Sequence, residues 1–186
     1  KRLPFDPEAA KKLLAEAGYP AGFTVDMNCP NDRYVNDGQI CEAVAANLAR
    51  VNIKVNLKAE TKGTYFPKIL RRDTSFYMLG WSPATTYDVH NVFEQIIQTP
   101  DVKAKKGLYN AGGYSNKKFD ELSNKVEVET DKAKRDAMIA EATKIYVDDF
   151  AYIPLHQQAL VWAARKNVDL VQPADNSFPL RFVNLK

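Results

Sequence analysis

The feature that most constrains the fold is a strand–helix–strand pattern that runs from residue 23 to residue 57. Residues 23–27 (FTVDM) and 53–57 (IKVNL) alternate apolar and polar side chains, which is typical of half-buried strands. Two strands joined by a helix within about 35 residues form a βαβ unit, whose strands are parallel, so the pattern predicts an α/β fold. The apolar residues between the strands have the spacing of one helical stripe: Ile40, Val44, Leu48 and Val51.

Local signals predict the remaining elements. Asp6 and Pro7 are suited to start a first helix that Gly18 ends, and Asp37 is suited to cap the helix of the βαβ unit. Beyond residue 165 we expect an irregular tail. The other predicted helices are 64–72, 89–97 and two that begin after Asn116 and at Asp131, and the other predicted strands are 76–81, 151–155 and 159–163.

Length and charge exclude several classes of protein. The 186 residues suffice for one domain with a sizeable core and are too few for two full domains. The net charge is +3, and the basic residues are dispersed among acidic ones, so we expect no nucleic-acid partner. No apolar run approaches the eighteen or so residues of a membrane span. The chain opens with Lys1 and shows no signal peptide, and we expect a cut fragment or a processed product.

Motifs for catalysis or for cofactors are not found in the sequence. It has no GxSxG elbow, no glycine-rich phosphate loop and no HExxH pair, and neither His90 nor His156 has a recognisable nucleophile partner. Cys29 and Cys41 are not part of a zinc-binding pattern. We therefore expect a protein that is not an enzyme and that holds no cofactor or metal. The two cysteines either close a short loop as a disulfide or are unrelated buried thiols, and their spacing leaves both possibilities open.

Binding chemistry is better represented, at three positions. Trp81 follows an apolar run, where it is either a core residue or a flat wall of a ligand pocket with one N–H donor. Arg33 follows the first strand and either grips a carboxylate through two hydrogen bonds or pairs with Asp32 or Asp37. Asp88 either receives a ligand amine or caps the helix that follows it.

An ordered series of segments resembles one family. Residues 5–20 (FDPEAAKKLLAEAGYP) are similar to a hallmark segment of family 5 extracellular solute-binding proteins, the receptors of peptide- and nickel-type ABC importers. Further segments match in the same order, and together with the first they cover nearly the whole chain: 48–55, 80–81, 113–122, 153–156 and 165–168.

The resemblance implies a periplasmic-binding-protein-like lobe with a mixed, mostly parallel sheet flanked by helices. Residues 1–186 would be the C-terminal lobe of a two-lobe receptor, with residues 166–186 returning toward the N-terminal lobe. The implied partners are a peptide-like solute, an ABC transporter permease and that other lobe. The implied location is the periplasm, and this oxidising compartment favours a Cys29–Cys41 disulfide. The alternatives from other classes are a hydrolase-like α/β enzyme fragment and the effector-binding domain of a regulator.

The resemblance also implies roles for individual residues. Arg33 falls where peptide receptors hold the ligand carboxylate, with Tyr34 beside it as a further contact, and Trp81 falls where a tryptophan lines the pocket. Ala84 stands where these receptors place an aspartate for the peptide amine, and Asp88 is offset by one from a second acidic position. This departure favours modified peptides, opines or other amino-acid-derived solutes.

Overall fold

A computed structural model describes residues 3–83, 86–175 and 177–186. The chain divides into two compact units, a first that ends at Gly80 and a second that begins at Trp81. Each unit is described by itself below. None of the helices in these described ranges is long and apolar enough to cross a membrane.

The first unit is built around a three-stranded parallel sheet with the strand order β2-β1-β3. The ladder between β1 and β2 runs in register from the pair Phe23 and Ile53 to the pair Pro30 and Glu60, as the βαβ pattern predicts. The helices and strands of this unit are α1 (Pro7–Glu16), β1 (Phe23–Pro30), α2 (Asp37–Ala49), β2 (Ile53–Glu60), α3 (Lys62–Leu70) and β3 (Phe76–Tyr77).

The first helix begins as its sequence signals predict. The Asp6 carboxylate accepts a hydrogen bond from the Ala9 backbone N–H at 2.9 Å, and Pro7 occupies the first helical position, where no N–H is required. Gly18 follows the end of the helix with φ +89°, a conformation that glycine adopts at no steric cost.

Strand β1 is longer than the sequence indicates. The sequence predicts a strand over 23–27, but Asn28 and the next two residues also belong to it and are buried. The alternating pattern stops at Met27 because the end of this central strand is covered on both faces. The buried Asn28 amide is satisfied by the Glu60 carboxylate at 3.0 Å. The core at this end of the sheet consists of Met27, Cys29, Cys41 and Met78, with Tyr34, Ile40, Val44, Val55, Leu57 and Phe76 packed against it.

The second unit is mainly helical and packs around aromatic rings. Phe93, Phe119 and Tyr146 have ring centroids 5.2–6.1 Å apart in edge-to-face arrangements, and the two phenylalanines are fully buried. The helix predicted over 89–97 is present, but its second half, Phe93–Ile97, is π-helical. The α-helices of this unit are α4 (Val89–Val92), α5 (Lys117–Val128) and α6 (Lys132–Asp148).

Three strand predictions are corrected. The strand predicted over 76–81 is only two residues long, because β1 pairs with Phe76 and Tyr77 alone. Residues 151–155 and 159–163 are not strands. Their apolar patterns suit strands, but a strand also requires a ladder with a neighbouring strand, which a local pattern does not specify. In the tail expected to be irregular, Val168–Asp169 (β4) pairs antiparallel with Asn184–Leu185 (β5).

Candidate functional site

The loop of residues 31–36 extends from the carboxyl end of the central strand β1, an edge where α/β proteins commonly bind ligands. Arg33 is exposed in this loop, and its guanidinium lies over the Tyr34 ring at 4.9 Å from the centroid. Within the part of the chain that the structure describes, no salt bridge joins Arg33 to a carboxylate. The Asp32 carboxylate, one of its two candidate partners, accepts the Lys62 backbone N–H at 2.6 Å instead.

Asp37, the other candidate partner, is committed to the backbone of the same loop. Its Oδ2 accepts the N–H groups of Arg33 and Tyr34 at 2.9 and 3.0 Å, and its Oδ1 accepts the N–H of Gly38 at 2.9 Å. Asp37 does not cap α2 as predicted: Asn36 is the N-cap, with φ +58°, and Asp37 is the first helical residue. The turn at Asn36 directs the Asp37 carboxylate back into the loop.

The Asp37 side chain is charged although the residue is only 4% exposed. Desolvation by burial raises the pKa of this carboxyl, but the hydrogen bonds from backbone N–H groups outweigh desolvation, and the net pKa lies below its usual value. The loop therefore contains a fixed negative charge whose oxygens are directed at backbone amides.

A disulfide closes the base of the loop. Cys29, at the end of β1, is bonded to Cys41 in α2 with a Cα–Cα distance of 6.5 Å, which is the pairing that the family resemblance implies. Both residues are fully buried. The ring that the disulfide closes contains Arg33, Tyr34 and Asp37, so the whole candidate carboxylate-binding loop lies within one covalent constraint.

Tyr34 is held at its far end by Gly80. Its hydroxyl donates to the Gly80 carbonyl oxygen at 3.1 Å, and a Cβ at position 80 would lie 2.7 Å from Cε1 of the Tyr34 ring. The glycine of the Gly-Trp pair is therefore required for this close approach. Sequence reasoning missed the contact, since it joins residues 46 positions apart.

Trp81 begins the second unit and is half-buried. Its Nε1–H donates to Oδ1 of Asn91 at 2.9 Å, and its ring lies 4.9 Å from the ring of Tyr109. The indole N–H that the sequence offered as a ligand donor is thus already bound within the protein. One part of the ring packs in this unit and the rest is accessible.

Asp88 takes the helix-capping role that the sequence left as one of two possibilities. Its Oδ1 accepts the His90 N–H at 2.9 Å, and its Oδ2 accepts Nη2 of Arg135 at 2.8 Å. Burial raises the Asp88 pKa, but these partners lower it further, so the net pKa is below the usual value. Ala84, where an aspartate was expected, lies outside the described residues. Asp88 and Arg135 line a polar cleft of about 270 Å³, together with Thr86, His90, Asn91, Glu94 and Glu127.

The described residues contain no group of three or more His, Cys, Asp or Glu side chains that is arranged to hold a metal ion. Of the residues predicted for a site, the first unit brings together Arg33, Tyr34 and the disulfide. Trp81 and Asp88 lie in the second unit.

Comparison with known proteins shows the family to which this chain belongs. The family model for bacterial extracellular solute-binding proteins, family 5 Middle, matches residues 1–103. That match covers more than half of the 186 residues, and the chain belongs to this family of binding proteins.

Three known proteins illustrate what this chain is similar to. The chain is 28% identical over 160 residues to heme-binding protein A of Haemophilus influenzae, which covers 82% of this chain and 27% of that protein. It is 24% identical over 177 residues to di/tripeptide-binding protein 2 of Pseudomonas aeruginosa, covering 89% and 31%. Among solved structures, it resembles the periplasmic binding protein DppA from Helicobacter pylori in complex with peptide STSA, with a TM-score of 0.74, 25% identity, and coverage of 83% and 29%.

The chain thus spans less than a third of the length of each of these three proteins. The comparisons also support a periplasmic-binding-protein-like α/β fold, as the resemblance implies.

Proposed function

We propose that this chain is the C-terminal lobe of a two-lobe receptor that binds a peptide-like or amino-acid-derived solute by its carboxylate. The receptor works outside the cytoplasm and delivers the solute to an ABC transporter permease. It performs no chemistry on the solute. Its mechanism is closure of the two lobes, driven by tighter ligand binding in the closed state.

One observation carries this proposal: an exposed guanidinium stands on a constrained loop at the carboxyl end of the central strand. Arg33 lies over the Tyr34 ring, and both carboxylates that were its candidate partners bind backbone N–H groups. A guanidinium is the side chain best suited to a carboxylate, since it offers two parallel N–H donors. In the first unit, Arg33 is the proposed carboxylate anchor and Tyr34 is its support. In the second unit, taken by itself, Trp81 is a proposed ligand contact, and Asp88 keeps its role as a helix cap.

The ligand class follows from the carboxylate anchor and from position 84. Two similar proteins are a di/tripeptide-binding protein and a binding protein in complex with the peptide STSA, which supports a peptide-like ligand. Ala84 supplies no charge for a ligand amine. We therefore favour solutes whose amine is modified or is not essential, such as N-blocked peptides and opines.

Exposed apolar side chains support a second lobe that covers the C-terminal segment. Ile153 is 68% exposed and Val161 is 85% exposed, in two stretches whose pattern suited strands. Leu180 and Leu185, in the tail of residues 166–186, are 74% and 78% exposed. Burial of these side chains against another surface would be favourable, because it removes apolar area from water. In this proposal the segment packs on the N-terminal lobe, toward which the tail returns.

Replacing Arg33 tests the carboxylate anchor. In the complete receptor, the Arg33→Ala variant should bind a carboxylate ligand at least about tenfold more weakly, since a paired guanidinium contributes at least about 1.4 kcal/mol. A panel of di- and tripeptides, their N-acetyl forms and opines is first screened by calorimetry. The compound that binds most tightly is then used as the probe. Arg50→Ala is the matched control, because Arg50 lies over the Phe5 ring at 5.1 Å in a similar stack outside the loop. An unchanged dissociation constant for Arg33→Ala removes Arg33 from the site.

The isolated chain of residues 1–186 is expected not to bind the same probe measurably, because half of the proposed pocket belongs to the other lobe. Calorimetry with the isolated chain and with the complete receptor, side by side, measures the difference. Saturable micromolar binding by the isolated chain would show that the second lobe is not needed for recognition. If no member of the panel binds the complete receptor, the proposed ligand class is wrong.

A further inference from the structure

We propose that Asp37 is the positioning residue of the carboxylate site: its buried side chain fixes the backbone on both sides of Arg33 and thereby aims the guanidinium. This inference rests on the proposed function, in which Arg33 holds the ligand carboxylate. Asp37 itself does not touch the ligand in this proposal; it acts through Arg33.

The first argument is the geometry of the hydrogen bonds. The Arg33 N–H belongs to the peptide plane before Arg33, and the Tyr34 N–H belongs to the plane after it. One oxygen, Oδ2 of Asp37, accepts both, at 2.9 and 3.0 Å. Because φ and ψ of Arg33 are the rotations between these two planes, a common anchor for both planes restricts the direction of the side chain.

The second argument is the kind of side chain at position 37. Burying a charge is unfavourable unless hydrogen bonds compensate for lost hydration. A carboxylate has two oxygens and no donor, so it satisfies three N–H groups at once, as Asp37 does with Arg33, Tyr34 and Gly38. An asparagine has one oxygen, and its NH₂ group would face a backbone donor. The loop backbone therefore requires a charged carboxylate at position 37.

The third argument is that the guanidinium itself has a fixed support. Arg33 lies over the Tyr34 ring, and that ring is held against Gly80 by its hydroxyl. The Cys29 Sγ lies 3.4 Å from the Asp37 backbone oxygen, so the disulfide adjoins the anchor. A loop ordered before the ligand arrives loses less conformational entropy on binding. The arrangement thus favours affinity for a carboxylate beyond the hydrogen bonds of Arg33 itself.

The test is a double-mutant cycle between Asp37→Asn and Arg33→Ala in the complete receptor, with the peptide or opine probe selected above. Asp37→Asn should weaken binding of the probe about fivefold, from misdirected donors and the extra ordering of the loop. In the Arg33→Ala background the same substitution should have no further effect, since Asp37 acts only through Arg33. If the C-terminal carboxylate of a peptide probe is replaced by an amide, the affinity for that probe should not change on Asp37→Asn.

Asp32→Asn is the matched control. It removes the same charge from the residue next to Arg33, but Asp32 bonds to Lys62 and not to the Arg33 or Tyr34 amides. Its effect on affinity should be less than about twofold, because an exposed charge is screened by solvent. Equal losses for Asp32→Asn and Asp37→Asn would mean that charge alone matters, and would overturn the positioning role.

The remaining outcomes separate this inference from the proposed function. If Arg33→Ala weakens binding and Asp37→Asn adds a full, independent loss to it, the proposed function stands and the positioning role is wrong. If Arg33→Ala has no effect, or no probe binds, the proposed site fails and this inference fails with it. Circular dichroism checks folding. If Asp37→Asn is unfolded, Asp37→Ser, a smaller acceptor, replaces it in the same cycle with the same criteria.

Discussion

A Cys29→Ala/Cys41→Ala variant is expected to lose about 3 kcal/mol of unfolding free energy, the value for a disulfide that closes a loop of this length. Without the bond, the unfolded chain regains the freedom that a 12-residue separation had removed. Alanine is the better replacement because both half-cystines are fully buried, where a serine hydroxyl would need a partner. Guanidinium unfolding followed by far-UV circular dichroism measures the loss.

Reduction of the wild-type disulfide is the control for this prediction. Dithiothreitol should lower the unfolding midpoint of the wild-type chain and leave that of the double-alanine variant unchanged. Because the disulfide ring encloses Arg33 and Asp37, the variant in the complete receptor should also bind the carboxylate probe more weakly. The prediction fails if the wild type has the same unfolding midpoint with and without reductant, and the variant shares that midpoint. The disulfide would then not stabilise the fold.

Phe119→Ala is expected to destabilise the second unit by about 3–5 kcal/mol, the range for removal of a buried phenylalanine. Phe119 is fully buried in α5 and makes edge-to-face contacts with Phe93 and Tyr146 at 5.2 and 6.0 Å. The substitution removes apolar contact and leaves a cavity that helices α5 and α6 cannot fill without moving. Hydrogen exchange of the α5 and α6 amides measures the change within this unit.

The matched control is Phe150→Ala, which removes the same side chain from a position that is 67% exposed. Its φ is +52°, a conformation equally strained for alanine, so the backbone contribution is unchanged. We expect an effect within about 0.5 kcal/mol. If the two substitutions had similar effects, the aromatic cluster would not be the centre of this unit's stability.

The elements that the sequence predicted well are those whose cause is local. The βαβ unit follows from alternation in 23–27 and 53–57 and from one helical stripe, and the structure has both strands and the helix. Asp6, Asn116 and Asp131 accept hydrogen bonds at the starts of their helices, because capping involves only residues a few positions apart. Residues 151–155 and 159–163 were mispredicted as strands because a strand depends on a neighbour that a local pattern does not specify.

In the candidate site too, features with a local cause were predictable from the sequence, and features that depend on remote contacts were not. The location of Arg33 in a loop after a strand and the capping role of Asp88 were both predictable from neighbouring residues. The role of Arg33 as an anchor stays a prediction. The role of Asp37 was not predictable, because its carboxylate turns back into the loop only through the left-handed conformation of Asn36. The need for a glycine at position 80 depends on the Tyr34 ring, which is remote in sequence. Contacts of this kind become visible only once the chain is folded.

The position of the two tryptophans has a practical consequence. Trp81 and Trp162 both belong to the second unit, and the first 80 residues contain neither. Intrinsic fluorescence excited at the indole band therefore reports on the second unit alone. In an isolated chain that carries Trp162→Phe, the single emitter would be Trp81, whose indole is bonded to Asn91 and lies beside Tyr109. The isolated chain thus carries a built-in optical probe, and the unfolding of the second unit can be followed in real time without a label.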